Sequence, residues 1–202
     1  MHSRRLFLKT LLVAAVIVPA LSNLKAMAKS VSKASAIIDD FSQPGPRAST
    51  GARWEYVADG VMGGVSQGQM RLLQIDGRKA LRLTGDVSLA NNGGFVQAAL
   101  DLSSDGSAVD ASGFTGIAIT VRGNGAAYDL RLRTTDLTRP WQSYRASFQA
   151  PASWTEVRLP FAEFVRNKTD APFDAGRLRR IGILAIGREF AADVAISDVR
   201  FY

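Results

Sequence analysis

Carboxylates and arginines are the side chains of this sequence whose types and spacing could do chemistry. The chain contains no cysteine, and its single histidine, His2, lies in a segment that we interpret below as an export signal. A mature chain without these residue types cannot form a Ser-His-Asp triad, a thiol nucleophile, a zinc site with nitrogen or sulfur ligands, or a histidine-ligated haem. We therefore expect a protein that is not an enzyme and that holds no cofactor.

Two uses of carboxylates stay open on the sequence alone. A glycosidase needs a pair of acids about 5–10 Å apart, and Asp129 and Glu156 could share one face of a sheet. A calcium ion could take oxygen ligands from Asp39, Asp40, Asp59 or Asp198. Both are alternatives to a function in binding.

Two glycine-rich segments stand out, since residues 58–68 read ADGVMGGVSQG and residues 91–94 read NNGG. They do not match the phosphate-binding pattern G-x-x-x-x-G-K-[ST], and no helix pattern follows them. Glycine adopts positive φ without strain and lets another backbone or a ligand approach, so we predict tight turns, the first of which buries Val61 and Met62. We predict that both segments lie at one rim of the fold and shape a ligand or partner site; a purely structural role is the alternative. The candidate residues are Asp59, Gly63, Gly64, Ser66, Asn91 and Asn92.

The N-terminus is typical of a twin-arginine export signal. Arg4 and Arg5 precede an apolar run over residues 11–21, and the small-x-small pattern of Ala26 and Ala28 predicts cleavage after Ala28. The apolar run is shorter than the ~20 residues that span a bilayer. We therefore predict a signal peptide over residues 1–28 and a periplasmic protein that has no membrane span after processing.

The net charge of +7 overstates the basicity of the exported protein. Four basic residues and no carboxylate precede the predicted cleavage site, so the mature chain carries +3. A charge of this size gives no reason to expect nucleic acid as a partner. We expect a protein or a glycan instead.

Short apolar segments separated by glycine and proline predict an all-β fold. After a leader at 29–36, a first strand is predicted at 37–41, and one helical turn at 160–167. The other predicted strands are 54–57, 70–75, 80–84, 94–100, 116–122, 128–134, 143–149, 155–159, 180–186 and 192–201. Such regularly spaced short strands favour a single β-sandwich or barrel domain over 37–202. Residues 180–186 are apolar on both faces after Arg180 and predict a central strand covered on both sides.

Alternation in the middle strands predicts a charged face opposite the core. Alternate residues of 117–121 and of 128–132 are apolar, which assigns them to the core side. The side chains predicted to point the other way and to share one sheet face include Arg122, Asp129, Arg131, Arg133, Arg145, Glu156 and Arg158. They form either solvated cross-strand pairs or a ligand-facing surface, which the excess of arginine over lysine favours. Trp141 could offer a stacking platform beside this face or cap the core, whereas Tyr128 and Tyr144 are predicted to point inward.

Several motifs follow one another in the order and spacing of a known family. They are Trp54 with Asp59-Gly60-Val61-Met62-Gly63-Gly64-Val65-Ser66, Asn91-Asn92-Gly93-Gly94-Phe95, Arg122-Gly123-Asn124-Gly125, Tyr128 with Leu130-Arg131, Tyr144 with Phe148, Trp154, Leu159-Pro160-Phe161 and Ile181-Gly182. Over residues 37–202 the chain resembles the complex I intermediate-associated protein 30 family, named for a mitochondrial chaperone of NADH:ubiquinone oxidoreductase assembly. The resemblance implies a galactose-binding-like jelly roll, an architecture shared with many carbohydrate-binding modules.

The resemblance and the poor set of reactive side chains together predict a non-catalytic, exported binding or assembly module that is chaperone-like and contacts a protein or a glycan. The first alternative is a carbohydrate-binding module that stacks sugars on Trp141, Tyr128 or Tyr144 and bonds their hydroxyls through Asp129, Arg131, Arg133 and Glu156. The inward direction predicted for the two tyrosines counts against them as stacking platforms. The carboxylate-dependent glycosidase comes third.

Overall fold

The computed structural model describes residues 31–202. The predicted export signal and its cleavage site lie outside the described residues. Within 31–202, none of the helical segments is long and apolar enough to cross a membrane.

Two sheets with largely antiparallel pairing form the described part of the chain. Sheet A contains, side by side, β3 (Trp54–Ala58), β6 (Phe95–Asp101), β13 (Leu178–Ile186), β9 (Ala127–Thr134), β10 (Ser143–Gln149) and β12 (Val165–Asn167), with β7 (Val109–Asp110) and β1 (Ser32–Lys33) added beside the start of β13. Sheet B contains β11 (Thr155–Pro160), β8 (Gly116–Gly123), β14 (Phe190–Phe201), β5 (Arg78–Val87) and β4 (Gln67–Ile75), with β2 (Ile37–Asp39) beside the end of β14. Short 3-10 turns lie at Asp59–Met62, Ala90–Asn92, Phe161–Glu163 and Ala175–Arg177.

The core lies between the sheets and is filled from alternate strand positions. In sheet A, Leu130 and Leu132 of β9 pair with Ile183 and Ile181 of β13, and all four side chains are fully buried. Sheet B contributes Leu81, Leu83, Ile117, Ile119, Val121, Val194 and Ile196 to the same cluster. Burying an apolar side chain of this size contributes about 1.5–3 kcal/mol. The strands must therefore turn their charged positions outward.

A buried carboxylate ties β2 to sheet A. The indole N–H of Trp54 donates to Asp39 Oδ2 at 2.7 Å, and the backbone N–H of Phe41 donates to Asp39 Oδ1 at 2.9 Å. Burial raises the pKa of Asp39 above its ordinary value, although these hydrogen bonds oppose the shift. β2 ends at Asp39, before the predicted end at 41, because Phe41 adopts a φ of 56°.

The predicted strands agree with the observed ones to within a few residues, and β10 has the predicted bounds. β13 is central in sheet A, as predicted, and residues 181–185 are buried on both sides of the strand, including the outer side. Gln97 and Leu184 lie over Gly182 there, since a Cβ at Gly182 would meet Gln97 Nε2 and Leu184 Cδ1.

The helical turn predicted at 160–167 is confirmed only in its first half. A 3-10 turn over Phe161–Glu163 is followed by β12, which pairs with β10. β1, which lies within the predicted leader, and β7 were also missed. Strands of two or three residues are too short to show an alternating pattern.

Candidate functional site

Asp59 joins the two glycine-rich segments. Its carboxylate is fully buried, and Oδ1 accepts a hydrogen bond from the backbone N–H of Ser66 at 2.9 Å. Oδ2 accepts from the Ser66 hydroxyl at 2.5 Å and from the backbone N–H groups of Gly94 and Phe95 at 2.6 and 3.3 Å. One side chain thus brings the two segments together at one rim of the sandwich, as predicted.

The glycines around Asp59 are required by close approach. A Cβ at Gly64 would lie 2.4 Å from Asp59 Cγ, and one at Gly93 would lie 2.5 Å from Asp59 Oδ2. Gly63 ends the 3-10 turn with a φ of 88°. Burial by itself raises the pKa of Asp59, but the hydrogen bonds outweigh it and the net shift is downward. The Asp59 carboxylate is inaccessible to solvent, and both of its oxygens accept hydrogen bonds from within the protein. These contacts account for the choice of glycine at positions 63, 64 and 93 and of serine at position 66, and no ligand is needed to explain them.

The prediction that the first turn buries Val61 and Met62 is wrong. Their side chains are 75% and 57% exposed. The Asp59 side chain points inward instead, because its oxygens accept hydrogen bonds from buried backbone N–H groups that would otherwise have no partner. Asn91 and Asn92 are also exposed, and φ values of 56° and 57° place them in the left-handed region that asparagine tolerates.

The charged residues predicted to share one face lie on opposite outer surfaces. Sheet B carries Arg122, Glu156 and Arg158, whereas sheet A carries Asp129, Arg131, Arg133 and Arg145. The prediction of one shared face is therefore wrong. Alternation separates inward from outward positions, but it does not reveal that the chain changes sheet between β8 and β9.

The structure does not place the named carboxylates where a glycosidase or a calcium site would need them. Asp129 and Glu156 lie on different sheets and face away from each other, so this pair cannot flank one glycosidic bond. Within residues 31–202, no three His, Cys, Asp or Glu side chains come together in a way that could hold a metal ion. Asp39 and Asp59 are each occupied by internal hydrogen-bond donors.

The outer surface of sheet B is a charge-paired surface. Its ion pairs join Arg82 to Asp193, Arg122 to Asp76, Arg158 and Arg200 to Glu156, and Arg200 to Asp198. The two arginines beside Glu156 lower the pKa of its carboxyl. Exposed pairs of this kind contribute little to stability, because water and salt screen them. For Arg122, Glu156 and Arg158, the structure therefore favours solvated cross-strand pairing.

The outer surface of sheet A carries Arg131, Arg133, Arg145 and Arg180, and we call it the arginine face. Asp129 is only 6% exposed and accepts a hydrogen bond from the Ser147 hydroxyl at 2.7 Å. It lies 3.3 Å from Arg131 Nη2 and 3.7 Å from Arg145 Nε. Arg131 and Arg145 thus share one buried carboxylate as their partner.

The remaining arginines of this face are held differently. Arg180 lies between two carboxylates, 2.7 Å from Glu55 Oε2 and 2.8 Å from Asp101 Oδ1. Arg133 donates to the carbonyl oxygen of Arg139 at 2.9 Å and has no carboxylate partner in the described part of the chain. Burial lowers the pKa of both Arg131 and Arg133, because a desolvated guanidinium is less stable. The positive charge of the arginine face is therefore only partly balanced by carboxylates.

Aromatic rings are scarce at this face. Trp141 is half exposed at its β10 border, where the Arg139 guanidinium lies 6.0 Å from the ring centroid. Trp141 therefore does not cap the core. Tyr128 and Tyr144 are buried, as predicted, and the Tyr144 hydroxyl donates to the carbonyl oxygen of Pro172 at 2.9 Å.

A cleft of about 360 Å³ at the β3 edge of the arginine face was not foreseen from the sequence. Its lining residues are Arg47, Gly51, Ala52, Arg53, Glu55, Asp101, Ser103 and Ser104. They come from the segment that enters β3 and from the end of β6, which are brought together by the pairing of β3 with β6. No motif in either segment marks them.

A model of the complex I intermediate-associated protein 30 (CIA30) family matches residues 40–195. The chain belongs to this family. The matched range contains both glycine-rich segments, the arginine face and the cleft, and it confirms the family that the sequence motifs indicated. No curated protein matches the CIA30 chain significantly.

Solved carbohydrate-binding modules share the fold. The family 11 module of the cellulosomal cellulase Lic26A-Cel5E of Clostridium thermocellum has a TM-score of 0.65 at 12% identity, covering 85% of this chain and 95% of that chain. A family 11 module from the same organism, in complex with a β-1,3-1,4-mixed-linked tetrasaccharide, has a TM-score of 0.63 at 12% identity, covering 82% and 94%. The family 30 module of its cellulosomal cellulase Cel9D-Cel44B has a TM-score of 0.57 at 13% identity, covering 85% and 95%. The CIA30 domain is thus an all-β, galactose-binding-like sandwich.

Proposed function

We propose that this CIA30 protein is a non-catalytic, exported, assembly-type module that binds an acidic surface of a partner protein through the arginine face. The contrast between the two outer surfaces supports the proposal. Sheet B pairs the arginines at its centre with carboxylates, whereas on sheet A Arg133 has no carboxylate and Arg131 and Arg145 share one. Partly compensated guanidinium groups favour bidentate contacts with carboxylates.

The side chains of this face are better suited to a protein partner than to a sugar chain. Stacking of sugars needs exposed rings, and among the described residues only Trp141 offers a large exposed aromatic side chain. An aromatic residue beside arginines is, in contrast, the composition of protein-binding hot spots. A stable contact would bury about 800 Å² on each partner.

The test uses Arg145→Gln on the arginine face and Arg71→Gln on sheet B as a matched control, because both side chains are exposed. Partners are captured by chemical crosslinking in the periplasm and identified, and their affinity for the purified mature protein is then measured. We expect Arg145→Gln to weaken binding about tenfold, as loss of one charge-assisted contact implies, and Arg71→Gln to leave it unchanged. We also expect affinity to fall with rising salt. Equal loss in both variants, or no loss with Arg145→Gln, would refute the assignment of this face.

The exported location is part of the proposal and has its own test. Replacing Arg4 and Arg5 by lysine should leave the precursor uncleaved in the cytoplasm, whereas the unaltered protein should be recovered from the periplasm with Lys29 as its first residue. N-terminal sequencing of the periplasmic fraction measures this. Periplasmic recovery of the lysine variant in full amount would contradict export by the twin-arginine route.

A carbohydrate-binding module remains the second candidate, because the fold is shared with such modules and one of them holds a tetrasaccharide. A glycan array probed with the mature protein separates the two candidates. Binding to a neutral glycan that is lost on replacing Trp141 by alanine would favour this candidate over a protein partner.

A further inference from the structure

The β3-edge cleft is a preformed, polar cavity. On one side, Arg47 and Arg53 face each other across an isolated β-bridge, and Arg47 Nη1 donates to the carbonyl oxygen of Gly51 at 3.0 Å. On the other side, the Ser103 hydroxyl donates to Asp105 Oδ1 at 2.7 Å. Each wall of the cleft is therefore held by a hydrogen bond within that wall. The volume of about 360 Å³ falls within the range of about 300–1,000 Å³ that is usual for small-ligand sites.

Two arginines of the cleft, Arg47 and Arg53, form no ion pair with a carboxylate of the described residues. Glu55 and Asp101 both contact Arg180, which lies behind them on the arginine face. Burial lowers the pKa of Arg180, but these two carboxylates outweigh it and the net shift is upward. Within residues 31–202, neither Arg47 nor Arg53 has a carboxylate oxygen within the 4.0 Å of an ion pair. The lining of the cleft thus carries two arginines and two carboxylates, and both carboxylates are already engaged by Arg180.

The same walls also present hydrogen-bonding groups for hydroxyls. Each carboxylate oxygen can accept further bonds beyond the one from Arg180, the Ser104 hydroxyl can donate and accept, and the Ser103 hydroxyl, whose proton goes to Asp105, can still accept. A compact anion such as phosphate would leave these groups unused and would be repelled by Glu55 and Asp101. A neutral sugar, in turn, would make no charge-assisted hydrogen bond with the guanidinium groups of Arg47 and Arg53.

We propose that this cleft binds a uronic acid, with the sugar carboxylate between Arg47 and Arg53 and the ring hydroxyls toward Glu55, Asp101 and the two serines. A free uronic acid and the terminal uronate of an acidic polysaccharide share this chemistry. The proposal does not rest on the function proposed for the arginine face. Either can fail while the other holds.

The experiment is calorimetric titration of the mature protein with sodium D-glucuronate, methyl glucuronide, D-glucose and sodium acetate. We expect saturable binding of glucuronate at least tenfold tighter than binding of glucose or acetate. If methyl glucuronide binds as well as glucuronate, a polysaccharide terminus is the source; if only glucuronate binds, the free sugar is. Equal binding of acetate would reveal an adventitious ion only, and it would overturn the proposal, as would absence of saturation up to the solubility limit.

Two variants test the site. Arg53→Ala removes an exposed guanidinium and should weaken glucuronate binding at least tenfold, as expected for loss of a charge-assisted bond, whereas the matched Arg71→Ala on sheet B should not. Ser104→Leu keeps all charges but fills the cleft, and it should abolish binding. Both positions are exposed, so unchanged thermal unfolding is expected and separates loss of binding from loss of fold. Unaltered binding in Arg53→Ala and Ser104→Leu would refute the site.

Discussion

Replacing Asp59 by alanine should be among the most destabilising single changes in this domain. The carboxylate accepts two bonds from Ser66 and one each from the backbone N–H groups of Gly94 and Phe95, at 2.5–3.3 Å. All of these lie around a side chain with no solvent exposure. The substitution would leave the donors without partners inside the rim.

The magnitude follows from the cost of buried, unsatisfied donors, about 1–3 kcal/mol each. These costs do not simply add, because water enters the space that the side chain leaves. We expect a loss of about 3–5 kcal/mol, which is a large part of the 5–15 kcal/mol that stabilises a typical domain.

Urea unfolding of the mature protein, followed by tryptophan fluorescence, measures the loss. Asp86→Ala is the matched control, since Asp86 is exposed near the same rim, and it should change stability by less than about 0.5 kcal/mol. If Asp59→Ala were as stable as the control, the reasoning that this carboxylate holds the two glycine-rich segments together would be refuted.

Acidification provides a second measure of the same side chain. The folded-state pKa of Asp59 is lowered, so its contribution to stability is present above the ordinary value of 3.8 and is lost as the pH falls toward the folded pKa. Asp39 has a raised pKa and contributes with the opposite sign. We therefore compare the protein with Asp59→Asn: the stability difference between them should shrink as the pH falls below about 4. A difference that stays constant from neutral pH to pH 3 would contradict this assignment.

Three further outcomes are expected. Gly64→Ala, whose Cβ would lie 2.4 Å from the buried carboxyl carbon, should cost about 1–3 kcal/mol in urea unfolding, whereas Gly60→Ala, with no atom within 4 Å of its Cβ, should cost less than 1; equal losses would contradict the close approach. Asn91→Gly should be tolerated and Asn91→Ala should cost about 1 kcal/mol, because φ is 56°; the reverse order would exclude the left-handed conformation. Asp193→Ala should cost only about 0.5–1 kcal/mol and less at high salt, because the pair with Arg82 is about 40% exposed; a loss insensitive to salt would argue against an ion pair.

Local pattern predicted most of the strands. β9 and β10 alternate apolar and polar residues, and burial of alternate residues follows from the geometry of a strand alone. The inward positions of Tyr128 and Tyr144 were predictable for the same reason. The family, too, was evident from the order of short motifs, each of which is local in the chain.

The candidate site depended on contacts that no local pattern reveals. Val61 and Met62 were assigned to the core because they are apolar, yet the tertiary contact of Asp59 with Gly94, 35 residues away, reversed the orientation of the turn. The β3-edge cleft likewise exists only because β3 pairs with β6.

The amino-acid sequence by itself determined the residue inventory, the alternation of the strands and the family, since each depends on residue type and short spacing. Only the tertiary structure decided how the arginines are divided between two outer surfaces and which of them carboxylates neutralise. A strand pattern defines two directions, inward and outward, but the sheet that a strand joins is set by pairing with strands distant in the chain.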